Sequence, residues 1–255
     1  MKTPVVDTDL VAINSLAHVA REAAEGTYGV AITALGGVRE SGQFAPLKDA
    51  MGLLLGRAEA REMRLENLVT GTIRALVAAV DAKSKWTAGH SFRVAGLSVQ
   101  LAQTFRLAPR KIRELHYAAL LHDIGKIAVP ERILENTTPT LSPEDMEWIK
   151  HHPVAGEEIV MKIGSDFANI SKAIRHHHER WDGGGYPDGL AGEDIPVLAR
   201  MIAVCDSYDA MRMTRPYQKG MSEGEIRRIF VKGRGKAWDA ALVDGFLQTL
   251  DAAPQ

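Results

Sequence analysis

The sequence predicts an all-α fold, and three observations predict it. Apolar residues recur at steps of three and four over most of the 255 residues, the spacing of one helix face. No stretch shows the apolar/polar alternation of a half-buried strand, and there is no internal repeat. Periodic segments alternate instead with short, motif-bearing turns. The length suits one large domain, or one domain with a small extension, and a hydrophobic fraction of 45% is enough for a sizeable core.

The elements follow in order. Residues 5–24 read as a helix, with Leu10, Ile13, Leu16 and Val19 at spacing three. Gly26, Gly29, Gly36, Gly37 and Gly42 then interrupt, and residues 28–35 read as a strand or an irregular turn. Pro46 suits a first helical turn. From it Leu47, Met51, Leu54, Ala58, Leu65, Val69, Ile73, Leu76 and Val80 draw an apolar stripe along a helix of roughly 35 residues. So long a helix either packs on the domain behind it or pairs with its copy in a homodimer. Residues 91–105 and 108–121 read as helices, and 130–142 as a loop ending in the helix-start signal Ser142-Pro143-Glu144. Helix 143–161 carries His151 and His152, with Pro153 expected to bend or interrupt it. Helix 166–180 carries His176, His177 and His178. Residues 181–196, rich in Gly and Pro, read as a long surface loop. Helix 197–213 carries Asp206, and helices 222–231 and 239–250 follow. The expected division is an N-terminal helical cap, dimerisation or regulatory segment over 1–65 and the motif-bearing domain over 66–255.

Composition narrows the function. A net charge of -1 provides no global field to draw polymeric nucleic acid or an anionic membrane. The single cysteine, Cys205, cannot form an intramolecular disulfide and suits a reducing cytosol. There is no secretory signal over 1–20 and no run of ~18 apolar residues. The expected setting is cytoplasmic, with no membrane.

The chemistry lies in the histidines. Seven of nine fall in five short motifs: His90-Ser91, His122-Asp123-Ile124-Gly125-Lys126, His151-His152-Pro153, His176-His177-His178-Glu179 and Cys205-Asp206, the last contributing an acid. Imidazole is the commonest metal ligand, and a carboxylate can bridge two cations. His122 and Asp123 are neighbours near a helix end and approach one centre from two directions. With His90, His152, His177, His178 and Asp206 the set is larger than one tetrahedral zinc needs. It matches two metals that share a carboxylate, a device for phosphoester hydrolysis. Imidazole with carboxylate favours Fe or Mn and allows Zn, Co or Ni. Lys126 would lie one turn beyond His122 if the helix continued, within reach of a phosphate oxygen. A helix seldom turns three neighbouring side chains toward one site, so His151 and His176 read as spectators, as do His18 and His116. Periodicity alone does not say which member of each cluster is spare.

The order of these motifs, together with Arg180-Trp181-Asp182-Gly183-Gly184-Gly185-Tyr186-Pro187-Asp188-Gly189-Leu190, Asp206-Ser207-Tyr208-Asp209-Ala210 and Arg215-Pro216-Tyr217, resembles the HD-GYP family of HD phosphohydrolases over roughly residues 68–246. The resemblance implies an all-α HD-domain helical bundle, here with a short N-terminal helical extension. It also implies a bi- or trinuclear site of iron or manganese and hydrolysis of cyclic di-GMP to pGpG or GMP. It places metal ligands on His90, His122, Asp123, His152, His177, His178 and Asp206, with Asp123 as the bridge and Asp123 and Lys126 as catalytic residues. Lys126 and Arg215 match phosphate-holding positions, and Tyr186 matches one beside a guanine. Gly183, Gly184 and Gly185 would let backbone approach a ligand closely. The Gly-Tyr-Pro loop is also a proposed contact for diguanylate cyclase domains.

Three departures shape the expectation. Ser84 stands where many members have an acid that could orient water or shuttle a proton. Trp86 stands where members with a third metal have Glu, which favours two metals and pGpG as end product. Gln218 follows Arg215-Pro216-Tyr217 where a basic residue is common, with Lys219 as the nearest substitute. Ser84 and Gln218 motivate an alternative, a catalytically weak cyclic di-GMP receptor. A hydrolase of another cyclic dinucleotide, such as cyclic GMP-AMP, is the other alternative.

Overall fold

The computed structural model describes residues 8–36, 45–83, 89–136, 141–213 and 220–252. All its regular elements are helical: among the described residues no strand forms, and only two isolated bridges occur, Asp182 with Ala191 and Arg234 with Trp238. The all-α expectation holds. The chain divides into two compact units, Met1–Gly71 and Thr72–Gln255.

In the first unit, α1 (Thr8–Ala24) turns at Gly26, where φ is +79°, into α2 (Tyr28–Gly36). The expected strand or irregular turn over 28–35 is therefore wrong. Gly29 and Gly36 fall at the ends of α2 rather than through it, and Ala31 and Leu35, one turn apart, are buried with Leu16, Val19 and Leu55. Burial of that face outweighs the poor helix propensity of glycine. The long helix is present as α3 (Ala45–Asp81), 37 residues.

In the second unit the last turns of α3 bury Ile73, Val77 and Val80 in a core built from α4 (His90–Thr104), α5 (Pro109–Leu121), α8 (Ala168–His176), α9 (Val197–Arg212), α10 (Glu223–Gly233) and α11 (Ala240–Ala252). Helix α9 is apolar on several sides: Leu198, Ala199, Met201, Ile202, Val204, Cys205 and Tyr208 are all buried, as expected of a helix at the centre of a bundle. Segment 130–142 is not wholly loop, since α6 (Glu131–Leu134) forms one turn after Pro130. Helix α7 (Pro143–Met161) starts as expected, with Ser142 Oγ accepting from Asp145 N at 3.1 Å, and it runs through Pro153 without ending. It lies against the 3-10 turn Ile124–Ala128. The approach needs a glycine: a Cβ on Gly125 would stand 1.9 Å from the His152 carbonyl oxygen. Among the described residues no helix is long and apolar enough to cross a membrane.

Candidate metal centre

Five helices of the second unit aim side chains at one point. His90 is the first residue of α4, His122 the C-cap of α5, His152 sits mid-helix on α7, His177 is the C-cap of α8, and Asp206 is on α9. Asp123 and His178 follow the ends of α5 and α8. The expected helix 166–180 therefore stops at His176, and His177 and His178 project from its open end.

The rings are oriented by one device used three times. His122 Nδ1 donates to Ala119 O at 2.8 Å, His152 Nδ1 to Ile149 O at 2.5 Å and His177 Nδ1 to Ile174 O at 2.6 Å. A carbonyl only accepts, so each Nδ1 carries the hydrogen and each Nε2 presents a lone pair. Ala119 and Ile174 belong to last turns, whose carbonyls have no helical donor. Ile149 is mid-helix, but its i+4 donor would be residue 153, and proline has no N–H. Pro153 thus frees the carbonyl that fixes the His152 ring. His90 is held differently: its Nδ1 donates to Asp209 Oδ2 at 2.7 Å, and Arg93 clamps the same carboxylate at 2.7 and 2.9 Å.

The inward atoms form two groups, His90, His122 and Asp123 on one side and His152, His177 and His178 on the other. Asp123 faces both. Its Oδ2 is 3.4 Å from His122 Nε2 and 3.8 Å from His90 Nε2, and its Oδ1 is 3.3 Å from His152 Nε2. Asp206 Oδ1 joins the first group, 3.1 Å from His90 Nε2 and 3.9 Å from His122 Nε2.

This donor set fits cations. His152 Nε2 and His177 Nε2 stand 3.4 Å apart with both ring hydrogens committed to carbonyls on the far sides, so two lone pairs face each other. His122 Nε2 is buried without a hydrogen-bond partner, although Asp123 Oδ2 stands 3.4 Å off. Burial pushes the His122 and His177 imidazoles down and takes His178 to about 3, which leaves them neutral. Burial works against the Asp123 charge, but the Lys126 ammonium leads the opposing effects and the carboxyl is held well below its usual range. Asp206 is lowered in the same way, chiefly by His90. Burial also opposes charge on His90, yet its bonds to Asp206 and Asp209 push it up to about 9. Neutral imidazoles at His122, His177 and His178 beside ionised carboxylates are the protonation states that divalent cations require, whereas His90 would have to release its Nε2 proton on binding one.

Lys126 lies in the 3-10 turn rather than on a continued helix, and its ammonium donates to Asp123 Oδ2 at 2.6 Å. Tyr186 stacks on His178, centroids 4.9 Å apart at 30°. Burial, with Asp206 and Asp123 adding, pushes its phenol up, so it stays protonated. The glycine loop differs from expectation. A Cβ on Gly185 would stand 2.4 Å from Arg180 N and 2.5 Å from Glu179 Cα, so the close approach is to the chain itself. Glu179 ties the loop down by accepting from Asp188 N at 2.7 Å and Gly189 N at 3.0 Å. Asp188 in turn binds Arg175 twice at 2.7 Å and His176 at 2.9 Å. His176 is therefore the member of its trio outside the cluster, and His151 also lies outside it. Arg215, Ser84, Trp86, Gln218 and Lys219 fall outside the described residues.

Sequence reasoning missed Asp209, Arg93, Glu179 and the role of Pro153. A signal existed for the first two: Asp209 follows Asp206 by three residues and Arg93 follows His90 by three, which places each pair on one helix face.

The HD domain family matches residues 74–242. A cyclic di-GMP phosphodiesterase of Pseudomonas aeruginosa is 36% identical over 209 residues, 80% of this chain and 50% of that protein. A 3'3'-cGAMP-specific phosphodiesterase of Vibrio cholerae is 38% identical over 177 residues, 69% of this chain and 38% of its own length. Among solved structures, an HDG"Y"P protein of Bdellovibrio bacteriovorus superposes with a TM-score of 0.54 at 21% identity, covering 99% of this chain and 75% of that one, a likeness of fold. The chain spans about half the length of the curated relatives it matches.

Proposed function

This chain belongs to the HD-domain family, and we propose that it is a phosphodiesterase that hydrolyses cyclic di-GMP to pGpG at a pair of divalent cations. One observation carries the reading: Asp123 turns one carboxylate oxygen toward each of two donor groups. His90, His122 and Asp206 would hold one ion, and His152, His177 and His178 the other, with Asp123 bridging. Iron or manganese suits that mixture of imidazole and carboxylate. When bound, such a pair acidifies a water for attack and stabilises charge on the phosphoryl oxygens.

The protein's own groups do the rest. Buried imidazoles and carboxylates keep the centre shielded from bulk water and pre-oriented, so little reorganisation accompanies attack. Lys126, whose ammonium sits on Asp123, places a positive charge at the rim where a phosphate would arrive. Arg215 is assigned a second phosphate contact, and Tyr186, packed on His178, a position beside the substrate. Residues 1–65 are assigned a cap, regulatory or dimerisation role beside a catalytic domain over 66–255. The Gly-Tyr-Pro loop is assigned the contact with diguanylate cyclase domains, and the setting is cytoplasmic.

Anaerobic loading with Fe(II), and separately Mn(II), followed by cyclic di-GMP and chromatography of products, tests the reading. Accumulation of pGpG, abolished in H122A and D123A, is the expected result. The cGAMP-specific relative motivates cyclic GMP-AMP in the same panel. Preferential cleavage of that substrate would reassign the base specificity. Binding of cyclic di-GMP without turnover would favour the receptor reading.

A further inference from the structure

Two side chains leave the C-terminal end of α3 for two segments that carry ligands. Asp81 is the last residue of α3, and Lys83 continues its final turn, Lys83 N donating to Val80 O at 3.0 Å. Asp81 Oδ2 accepts from Gly89 N at 3.2 Å, and Gly89 is the N-cap of α4, whose first residue is His90. Lys83 Nζ donates to Ile127 O at 2.7 Å and to Val129 O at 3.1 Å. Ile127 belongs to the 3-10 turn that follows Asp123 and carries Lys126, and Val129 is the C-cap of that turn. The sequence leaves both carbonyls open. A continued 3-10 turn would give Ile127 O a donor from residue 130, and Pro130 has no N–H. Val129 is buried and extended, with ψ 131°, so its carbonyl leaves the helical path and still needs a donor. An ammonium supplies three donors, and its charge strengthens each bond.

We propose that Lys83 and Asp81 are positioning residues for one of the two cations. Together they fix the separation of His90 from Asp123, whose Nε2 and Oδ2 stand 3.8 Å apart, and with it the fit of the His90, His122 and Asp123 group to an ion. The inference rests on the two-cation reading above. Packing of α4 on α5 brings the two segments together, and the end of α3 pins each of them next to its ligand. The 3-10 turn is thereby held on two sides, by α7 against Gly125 and by Lys83 at its far end. The other donor group is held differently, since His152 and His177 take their orientation from carbonyls of their own helices. Charge gives the proposal a sign. Loss of the Lys83 ammonium removes a positive charge and, by Coulomb's law alone, would tighten the binding of a cation. Loss of a tether loosens it.

The test is calorimetric titration of Mn(II) into the metal-free full chain and its variants, with thermal melting of each before metal is added. H90A and H177A identify the two binding steps by the one that each removes. In K83M the step assigned to His90 should weaken about tenfold, the lower end of the worth of outer partners, because Lys83 acts through the turn. The step assigned to His177 should weaken less. K83R, whose guanidinium can reach both carbonyls, should recover most of the loss. D81A and D81N both lose the charge, but only asparagine keeps an oxygen for Gly89 N, so D81A should bind more weakly than D81N at the His90 step. A His90 step that is unchanged or tighter in K83M, or two steps weakened equally, overturns the role of Lys83, and a lowered melting temperature with affinity unchanged makes it structural. Equal affinity in D81A and D81N overturns the role of Asp81. If K83M does not fold, K83Q, which keeps a donor for one carbonyl, is titrated under the same expectations. A wild type with a single step abolished by both H90A and H177A removes the two-cation reading, and Lys83 is then judged by whether K83M weakens that step.

Discussion

Replacing Pro153 by alanine separates orientation of a histidine from stability of its helix. The substitution restores an N–H aimed at Ile149 O, the carbonyl to which His152 Nδ1 now donates at 2.5 Å. On the stability side, one helical hydrogen bond is gained, about 0.5–1.5 kcal/mol. Two buried ring methylenes are lost at about 0.8 kcal/mol each, and the unfolded chain regains about 0.4–1 kcal/mol of freedom. The sum leaves the metal-free protein about 0.5–2 kcal/mol less stable than wild type. On the ligand side, a carbonyl has two lone pairs, so the new N–H competes with the imidazole and does not evict it. Outer partners of ligating histidines are worth about 10- to 100-fold in metal affinity, and competition places P153A near the lower end, about tenfold.

Titration of Mn(II) into metal-free P153A, followed by calorimetry, reads the affinity, and thermal melting without metal reads the fold. The control is the same substitution in an H152A background, where there is no ring left to orient and P153A should change affinity by less than twofold. An equal loss in both backgrounds would mean that Pro153 acts through the shape of α7. An undiminished affinity in P153A would mean that the His152 ring needs no tether. Either result refutes the reasoning.

Three further perturbations test other parts of the site. D209N keeps the shape of the group that holds His90 but removes its charge, so Mn(II) affinity should fall about 10- to 100-fold with little change in metal-free melting; a fall in melting alone would make Asp209 structural. G125A drives a Cβ to 1.9 Å from His152 O, a backbone atom that cannot step aside, and should cost about 1–3 kcal/mol or more in urea unfolding, whereas a loss under 0.5 kcal/mol would show that the turn yields. Arg175, and then His176, lower the Asp188 carboxyl to about 2. A lowered carboxyl contributes stability above its unfolded value of about 3.9 and loses it as pH falls through the folded value. The gap in unfolding free energy between wild type and D188N should therefore be present at pH 5 and close by pH 2. With Asp188 35% exposed it should be under about 1 kcal/mol; a gap that does not change with pH sinks the assignment.

How much of this was legible in the sequence follows from the range of the interactions involved. The helices of the second unit carry their own apolar period, so all but the short α6 could be read. Helix α2 could not, because Ala31 and Leu35 are helical for what they pack against rather than for their neighbours in sequence. The cluster was legible because its members come in adjacent pairs at helix ends, His122 with Asp123 and His177 with His178. The geometry of those ends was open to inference as well. A histidine that closes a helix finds an orphan carbonyl three residues back, so the end of the helix orients the ring. A histidine in mid-helix finds none unless the next residue is proline. In that light His151-His152-Pro153 was no ambiguous pair. The proline singles out His152, because only the residue just before it can donate to a carbonyl three residues back that has lost its i+4 partner. Expecting Pro153 to bend or interrupt the helix was reasonable from its missing N–H. The structure spends that same missing N–H on the ring. Asp209 and Arg93 were hidden for the opposite reason. Each is an ordinary charged residue on a helix, and only the meeting of α4 with α9, more than a hundred residues apart in sequence, turns them into the support of His90.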